Sequence, residues 1–89
     1  MEEKFITAWE QNRAAANLMG IRMRALDVKG AKRVLAGSRL SDGFNELATR
    51  GALNYSLEAL VVDKRFTALF TDEEANEALM RLLEAGYRF

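Results

Sequence analysis

The sequence predicts an all-α fold, a single-domain bundle of four to five helices over residues 1–89. Proline is absent, so no position forbids a helix, and six glycines supply the strong breaks. Between these glycines the apolar residues recur with the 3.6-residue period of helices that bury one face. With 89 residues, 49% of them apolar, the chain can build one hydrophobic core and is short for two.

The first helix is predicted over residues 2–19. Its apolar arc consists of Phe5, Ala8, Trp9, Ala15, Ala16, Met19 and, in a longer helix, Met23. A second apolar patch, Ala14, Leu18 and Ile21, lies on the opposite side. Because a helix that is apolar on both sides is usually buried on both sides, this patch is expected to be covered by another helix or by a second copy. The hypothesis is a homodimer with Ala14, Leu18 and Ile21 as its contact.

Residues 22–39 concentrate positive charge in a chain that is neutral overall. They hold six basic residues and one acid, whereas residues 71–89 hold two basic residues and five acids. Asp27 is a typical N-cap and Gly37 a typical stop for a helix over residues 28–36. The second predicted helix is therefore basic.

Three cations of that helix, Lys29, Lys32 and Arg33, share one face. Such a face suits either a polyanion or an acidic protein surface. The acidic C-terminal segment supplies the opposite charge. The basic face is therefore predicted to pack beside it, within one chain or across a dimer.

Two further arginines, Arg22 and Arg24, join this surface only under one of two backbone conformations. In a helix they point apart, because two positions correspond to about 200° of rotation. In an extended segment they share a side, with Ile21, Met23 and Ala25 on the other. The alternative fold is therefore α+β, with a short strand near residues 21–26.

Two shorter helices are predicted in the middle of the chain. The first is capped by Ser41 or Asp42 and ends at Gly51, and the second begins after Asn54 and breaks at residues 63–65. Their inward residues, and those after the break, are predicted to be Phe44, Leu47, Ala48, Leu57, Leu60, Val61, Phe66, Leu69 and Phe70.

The C-terminal helix begins with a capping box, Thr71 and Glu74, and ends at Gly86. Its apolar arc is predicted to hold Ala75, Ala78, Leu79, Leu82 and Leu83. The solvent face is predicted to hold Glu73, Glu74, Glu77, Arg81 and Glu84. Tyr87 and Phe89 are expected to cover one end of the bundle.

The composition argues against several classes of function. Without cysteine or histidine, the chain lacks thiolate nucleophiles and the commonest metal ligand and general base. We expect no catalytic residues, no metal and no cofactor, and hence no enzyme. The N-terminal residues lack the features of a signal peptide, and no apolar run approaches the ~20 residues of a membrane span. A cytoplasmic protein of bacterial type, without a membrane partner, is the expectation.

The sequence therefore predicts a small protein-interaction module that associates with itself, of the accessory, adaptor or inhibitor kind. The alternative is a nucleic-acid-binding regulator that uses the basic surface of residues 22–39. That alternative is less favoured because no aromatic residue lies between Trp9 and Phe44 to stack on a base.

Overall fold

The structure is a computed structural model that describes residues 1–88; Phe89, expected at the end of the bundle, lies outside the described residues. The five α-helices of this part of the chain are α1 (Glu2–Leu18), α2 (Val28–Ala36), α3 (Phe44–Thr49), α4 (Leu57–Val61) and α5 (Asp72–Glu84). Two 3₁₀ turns, Leu53–Tyr55 and Thr67–Leu69, precede α4 and α5. The all-α prediction is confirmed. The alternative with a strand is wrong, since residues 21–27 form no regular element.

Aromatic side chains from both ends of the sequence meet at the centre of the core. Phe5 and Trp9 of α1 are buried, and the Phe5 ring lies edge-on to Phe66 and Phe70, with centroids 5.4 and 5.5 Å apart. Most of the remaining core comes from aliphatic residues of the other helices, among them Val28, Ala31, Leu35, Leu47, Leu57, Leu60, Val61, Ala78 and Leu82. Helix α5 packs against both α2 and α4.

Two of the four predicted helix caps form. Asp27 accepts a 2.7 Å hydrogen bond from the Gly30 amide, and Thr71 and Glu74 form the predicted capping box. Asn54 does not cap α4; it lies in the 3₁₀ turn, and Ser56 accepts from the Ala59 amide instead.

Helix α3 begins without the predicted cap from Ser41 or Asp42. Its N-cap is Gly43 at φ +75°, a backbone conformation that glycine adopts without strain. A Cβ at Gly43 would lie 2.6 Å from Cγ2 of Ile21, so the position also requires a residue without a side chain. Ser41 and Asp42 instead bond to Glu58 and Arg24.

In the segment between α1 and α2, side chains alternate between buried and exposed as they do in an extended chain, but the segment does not pair with a strand. Ile21 and Met23 are buried, whereas Arg22 and Arg24 are exposed; Ala25, expected to lie inward, is exposed as well. Side chains of α1 satisfy two of its carbonyls: Trp9 Nε1 donates to Arg24 O at 3.0 Å, and Arg13 Nε donates to Met23 O at 2.7 Å. These bonds take the place of a strand ladder.

Helix α5 is turned about its axis from the predicted orientation. Its fully buried positions are Ala78, Arg81 and Leu82, while Leu83, predicted to face inward, is exposed. The centre of the buried face lies about 70° from the predicted centre, at 100° per residue. The structure therefore buries Arg81 and exposes Leu83, the reverse of the prediction.

No helix in the described range is long and apolar enough to cross a membrane.

Candidate functional site

A buried ion pair joins α4 to α5. Arg81 Nη1 lies 3.2 Å from Glu58 Oε2, and both side chains are shielded from solvent. Arg81 Nε also bonds Glu77 at 2.7 Å, one helical turn earlier. Each charge that is removed from water loses roughly several kcal/mol of hydration free energy. Such a pair is therefore stable only where further hydrogen bonds satisfy both groups.

Those further bonds reach the segment that connects α2 to α3. The third nitrogen of Arg81, Nη2, donates to Gly37 O at 3.0 Å and, at 3.4 Å, to the carbonyls of Val34 and Leu35. Carbonyls at a helix C-terminus carry partial negative charge and lack partners within the helix, so a guanidinium suits them. Arg81 thereby fixes the end of α2.

The other end of the connection is held by Glu58. The Ser41 hydroxyl donates to Glu58 Oε1 at 2.5 Å, and the Ser41 amide donates to Glu58 Oε2 at 3.2 Å. The backbone of residues 37–41 is thus attached at both ends to one ion pair. Between the attachment points, Ser38, Arg39 and Leu40 are exposed.

An open groove of about 460 Å³ runs beside this loop. We call it the arginine groove; it is lined by Trp9, Arg24, Leu26, Arg33, Val34, Gly37, Ser38, Arg39, Leu40, Ser41 and Asp42. Its apolar surface comes largely from Leu26, Val34 and Leu40, and its charge from three arginines and one aspartate. The groove therefore combines apolar contact area with an excess of positive charge.

One of the three arginines has an acidic neighbour. Arg24 Nε lies 2.8 Å from Asp42 Oδ2, and this hydrogen bond lowers the pKa of the Asp42 carboxyl below its ordinary value, although partial burial acts in the opposite direction. Arg33 and Arg39 form no ion pair with any residue from 1 to 88, and both are exposed. Two guanidinium groups of the groove are therefore free to bind a carboxylate or a phosphate.

The structure divides the five cations predicted to act together. Arg24 and Arg33 line the arginine groove with Arg39, which the sequence did not single out. Arg22 lines a different groove along α1, which Arg24 also lines, and Lys29 is exposed on α2 outside both grooves. The five cations predicted as one contact, Arg22, Arg24, Lys29, Lys32 and Arg33, therefore do not line a single groove.

The fifth cation, Lys32, contacts the acidic C-terminal helix. Its Nζ lies 2.7 Å from Glu74 Oε1 and 5.3 Å from the centre of the Phe70 ring. Burial raises the pKa of Glu74, but the hydrogen bonds from Lys32 and Thr71 outweigh it and leave that pKa below its ordinary value. The basic and acidic segments therefore meet within one chain through Lys32.

The predicted oligomer contact is only partly available. Ile21 is buried against the core and cannot lie at an exposed interface, because its side chain follows the turn after α1 and packs over Gly43. Ala14 and Leu18 are exposed, and Leu18 remains 91% accessible to solvent. No other helix of the described chain covers these two residues.

Glu58, Arg81 and Arg39 are the residues that sequence reasoning missed. Arg81 was predicted on the solvent face of the C-terminal helix, and the sequence pattern singled out neither Glu58 nor Arg39. One signal was present: Glu58 is the single charged residue between Gly51 and Val62, a stretch otherwise dominated by apolar side chains. A lone charge in such a stretch indicates a buried group with a partner.

Among residues 1–88, no cluster of three or more acidic side chains has the arrangement of a metal site. Comparison with models of known protein families found no match, and comparisons with curated proteins and with solved structures found none either.

Proposed function

We propose that this chain is a small, non-catalytic protein-interaction module whose arginine groove binds an acidic segment of a partner protein. The observation that carries the proposal is the attachment of the exposed loop 37–41 to the buried pair of Glu58 and Arg81. That attachment holds the backbone on either side of Arg39, which lines the same groove as Arg33, before any partner arrives. A loop fixed in this way loses less conformational entropy when it binds.

The chemistry of the groove favours carboxylates on an amphipathic segment. Guanidinium groups bind carboxylates with two parallel hydrogen bonds, and they lose less hydration than an ammonium does. Leu26, Val34 and Leu40 add apolar area that a purely polar ligand would leave uncovered. A helix with acids around a few apolar side chains matches both features.

A nucleic acid fits the same groove less well. Trp9, the aromatic residue in its lining, is 1% exposed and offers no face on which a base can stack. The chain has a net charge of zero, so no long-range field attracts a polyanion.

The test compares ligands on the intact chain. The probes are a synthetic helical peptide with glutamates flanking two leucines at helical spacing, and single-stranded and duplex oligonucleotides of equal total charge. We expect the peptide to bind in calorimetry. The double variant Arg33→Glu/Arg39→Glu should weaken that binding by at least about tenfold, or about 1.4 kcal/mol.

The matched control is Arg50→Glu/Lys64→Glu, which makes the same change in net charge at two exposed positions outside the groove. It should bind the peptide as the wild type does. If the oligonucleotides bound more tightly than the peptide, and lost that binding in Arg33→Glu/Arg39→Glu, the nucleic-acid alternative would replace this proposal.

A further inference from the structure

The outer face of α5 carries an apolar pair with acids at both ends. Met80 and Leu83 are 54% and 55% exposed, and their spacing of three residues places them on one face of the helix. Asp72, Glu73 and Glu84 are exposed on the same side. Neither leucine nor methionine gains by facing water, and no residue of the described chain covers this pair.

This face exists because Arg81 turns α5. With Arg81 directed at Glu58 and the carbonyls of α2, the helix cannot also bury Leu83. The rotation leaves the apolar pair outside and acidic residues beside it.

We propose that the outer face of α5 in one copy of this chain binds the arginine groove of a second copy. The inference rests on the proposed function of the groove and names its partner. Arg33 and Arg39 lack carboxylate partners among residues 1–88, and Asp72, Glu73 and Glu84 form no ion pair in the same range. The two surfaces therefore have opposite charge and unused binding groups.

The apolar parts of the two surfaces also correspond. Met80 and Leu83 form a short ridge on α5, and Leu26, Val34 and Leu40 supply the apolar lining of the groove. Acids lie on both sides of the ridge along the helix, so arginines on α2 and on loop 37–41 can each meet a carboxylate. This is the arrangement of an amphipathic helix in a groove.

The contact must form between chains. Helix α5 packs against α2 and α4 with its opposite face, and no residue of α5 lines the groove. Each copy then offers one groove and one helix face, which makes the interface heterologous. Such contacts extend into rings or open chains as the concentration rises.

The experiment uses two variants that each remove one surface. Arg33→Glu/Arg39→Glu removes the groove, and Met80→Lys/Leu83→Lys removes the helix face while placing cations near the helix C-terminus, where they suit the helix dipole. Circular dichroism checks that both variants fold. Analytical ultracentrifugation from low to high micromolar concentration then measures mass.

We expect the average mass of the wild type to rise with concentration above the 10.0 kDa monomer. Each variant alone should sediment as a monomer. An equimolar mixture of the two should form a dimer and nothing larger, because one intact groove and one intact helix face remain. The control Arg50→Glu/Lys64→Glu should associate as the wild type does.

Three results would overturn the inference in different ways. A wild type that stays monomeric but binds the acidic peptide through Arg33 and Arg39 has another protein as its partner, and the proposed function survives. Self-association that persists in both variants and is abolished by Leu18→Glu places the interface on α1. A wild type that stays monomeric and does not bind the peptide refutes the inference and the proposed function together.

Discussion

The side chains of Glu58 and Arg81 lie 3.2 Å apart with 0% and 6% of their surfaces exposed, although they stand 23 residues apart in the sequence. Together they hold α4, α5 and the loop between α2 and α3.

Replacing Arg81 with methionine should destabilise the domain by about 3–5 kcal/mol, since Glu58 would keep its charge in the interior without a partner. Chemical denaturation with urea measures the loss. The double variant Glu58→Leu/Arg81→Met should recover a substantial part of it, because the uncompensated charge is gone. Arg65→Met removes an exposed ion pair with Asp63, which solvent screens, and should cost far less than Arg81→Met does. Equal losses in Arg81→Met and Arg65→Met would contradict the structural role assigned to the buried pair.

Alanine should be tolerated differently at Gly43 and at Gly51. Both glycines have positive φ, so alanine strains the backbone by about 1 kcal/mol at either position. A Cβ at Gly43 also collides with Ile21, whereas nothing lies within 4 Å of a Cβ at Gly51. Gly43→Ala should therefore be about 1–3 kcal/mol less stable than Gly51→Ala in urea denaturation. Similar stabilities would show that the segment carrying Ile21 can move away from α3.

Reversing a charge should matter at Lys32 and not at Lys29. Lys32→Glu replaces the attraction of this ion pair by repulsion between two carboxylates, and we expect a loss of about 1–2 kcal/mol. Lys29 is exposed in the first turn of α2, where an acid suits the helix dipole, so Lys29→Glu should change stability by less than about 0.5 kcal/mol. Thermal unfolding of the two variants, monitored by circular dichroism, makes the comparison. A larger loss in Lys29→Glu would mean that the basic face has a second contact.

Stability should fall as the pH decreases through the acidic range. The hydrogen bonds from Arg24 to Asp42, and from Lys32 and Thr71 to Glu74, lower the pKa of each carboxyl in the folded state. The unfolded state then binds more protons, so stability rises with pH. The contribution is complete above the unfolded pKa of about 4 and is lost as the pH falls through the lower folded value.

Asp42→Asn isolates one of these groups. Its difference in unfolding free energy from the wild type should be greatest near neutral pH and should shrink toward zero at strongly acidic pH. Urea denaturation at a series of pH values gives both curves. Parallel curves would show that the pair of Arg24 and Asp42 contributes nothing to folding.

Local patterns in the sequence predicted those features that depend on neighbouring residues. The capping box of Thr71 and Glu74 and the cap at Asp27 involve contacts three residues apart, and both form as predicted. Ser41 and Asp42 have the same capping chemistry, but each finds a partner 17 or 18 residues away. Capping propensity depends on neighbouring residues only. It therefore does not predict a contact with a residue that the whole fold brings close.

The rotation of α5 about its axis was predicted wrongly for the same reason. The apolar period of α5 predicts a helix with one buried face. Leu83 and Arg81 lie at opposite edges of that face, so the helix can bury only one of them. Arg81 is buried because Glu58, Glu77 and the carbonyls at the end of α2 together complete its hydrogen bonds. The arginine groove depends on this assembly, so the sequence pointed to basic residues without showing which of them would be adjacent.

In the loop between α2 and α3, the groups that hold the backbone in place are different from the side chains that the loop exposes to solvent. Its backbone is held by side chains that belong to α4 and α5 and by the carbonyl and amide groups at its two ends, while Ser38, Arg39 and Leu40 take no part in that support. Substitutions at these three positions therefore leave the framework intact. Under the proposed function, exchange of those side chains alone can change which acidic segment binds, as happens when recognition loops diversify on a constant scaffold.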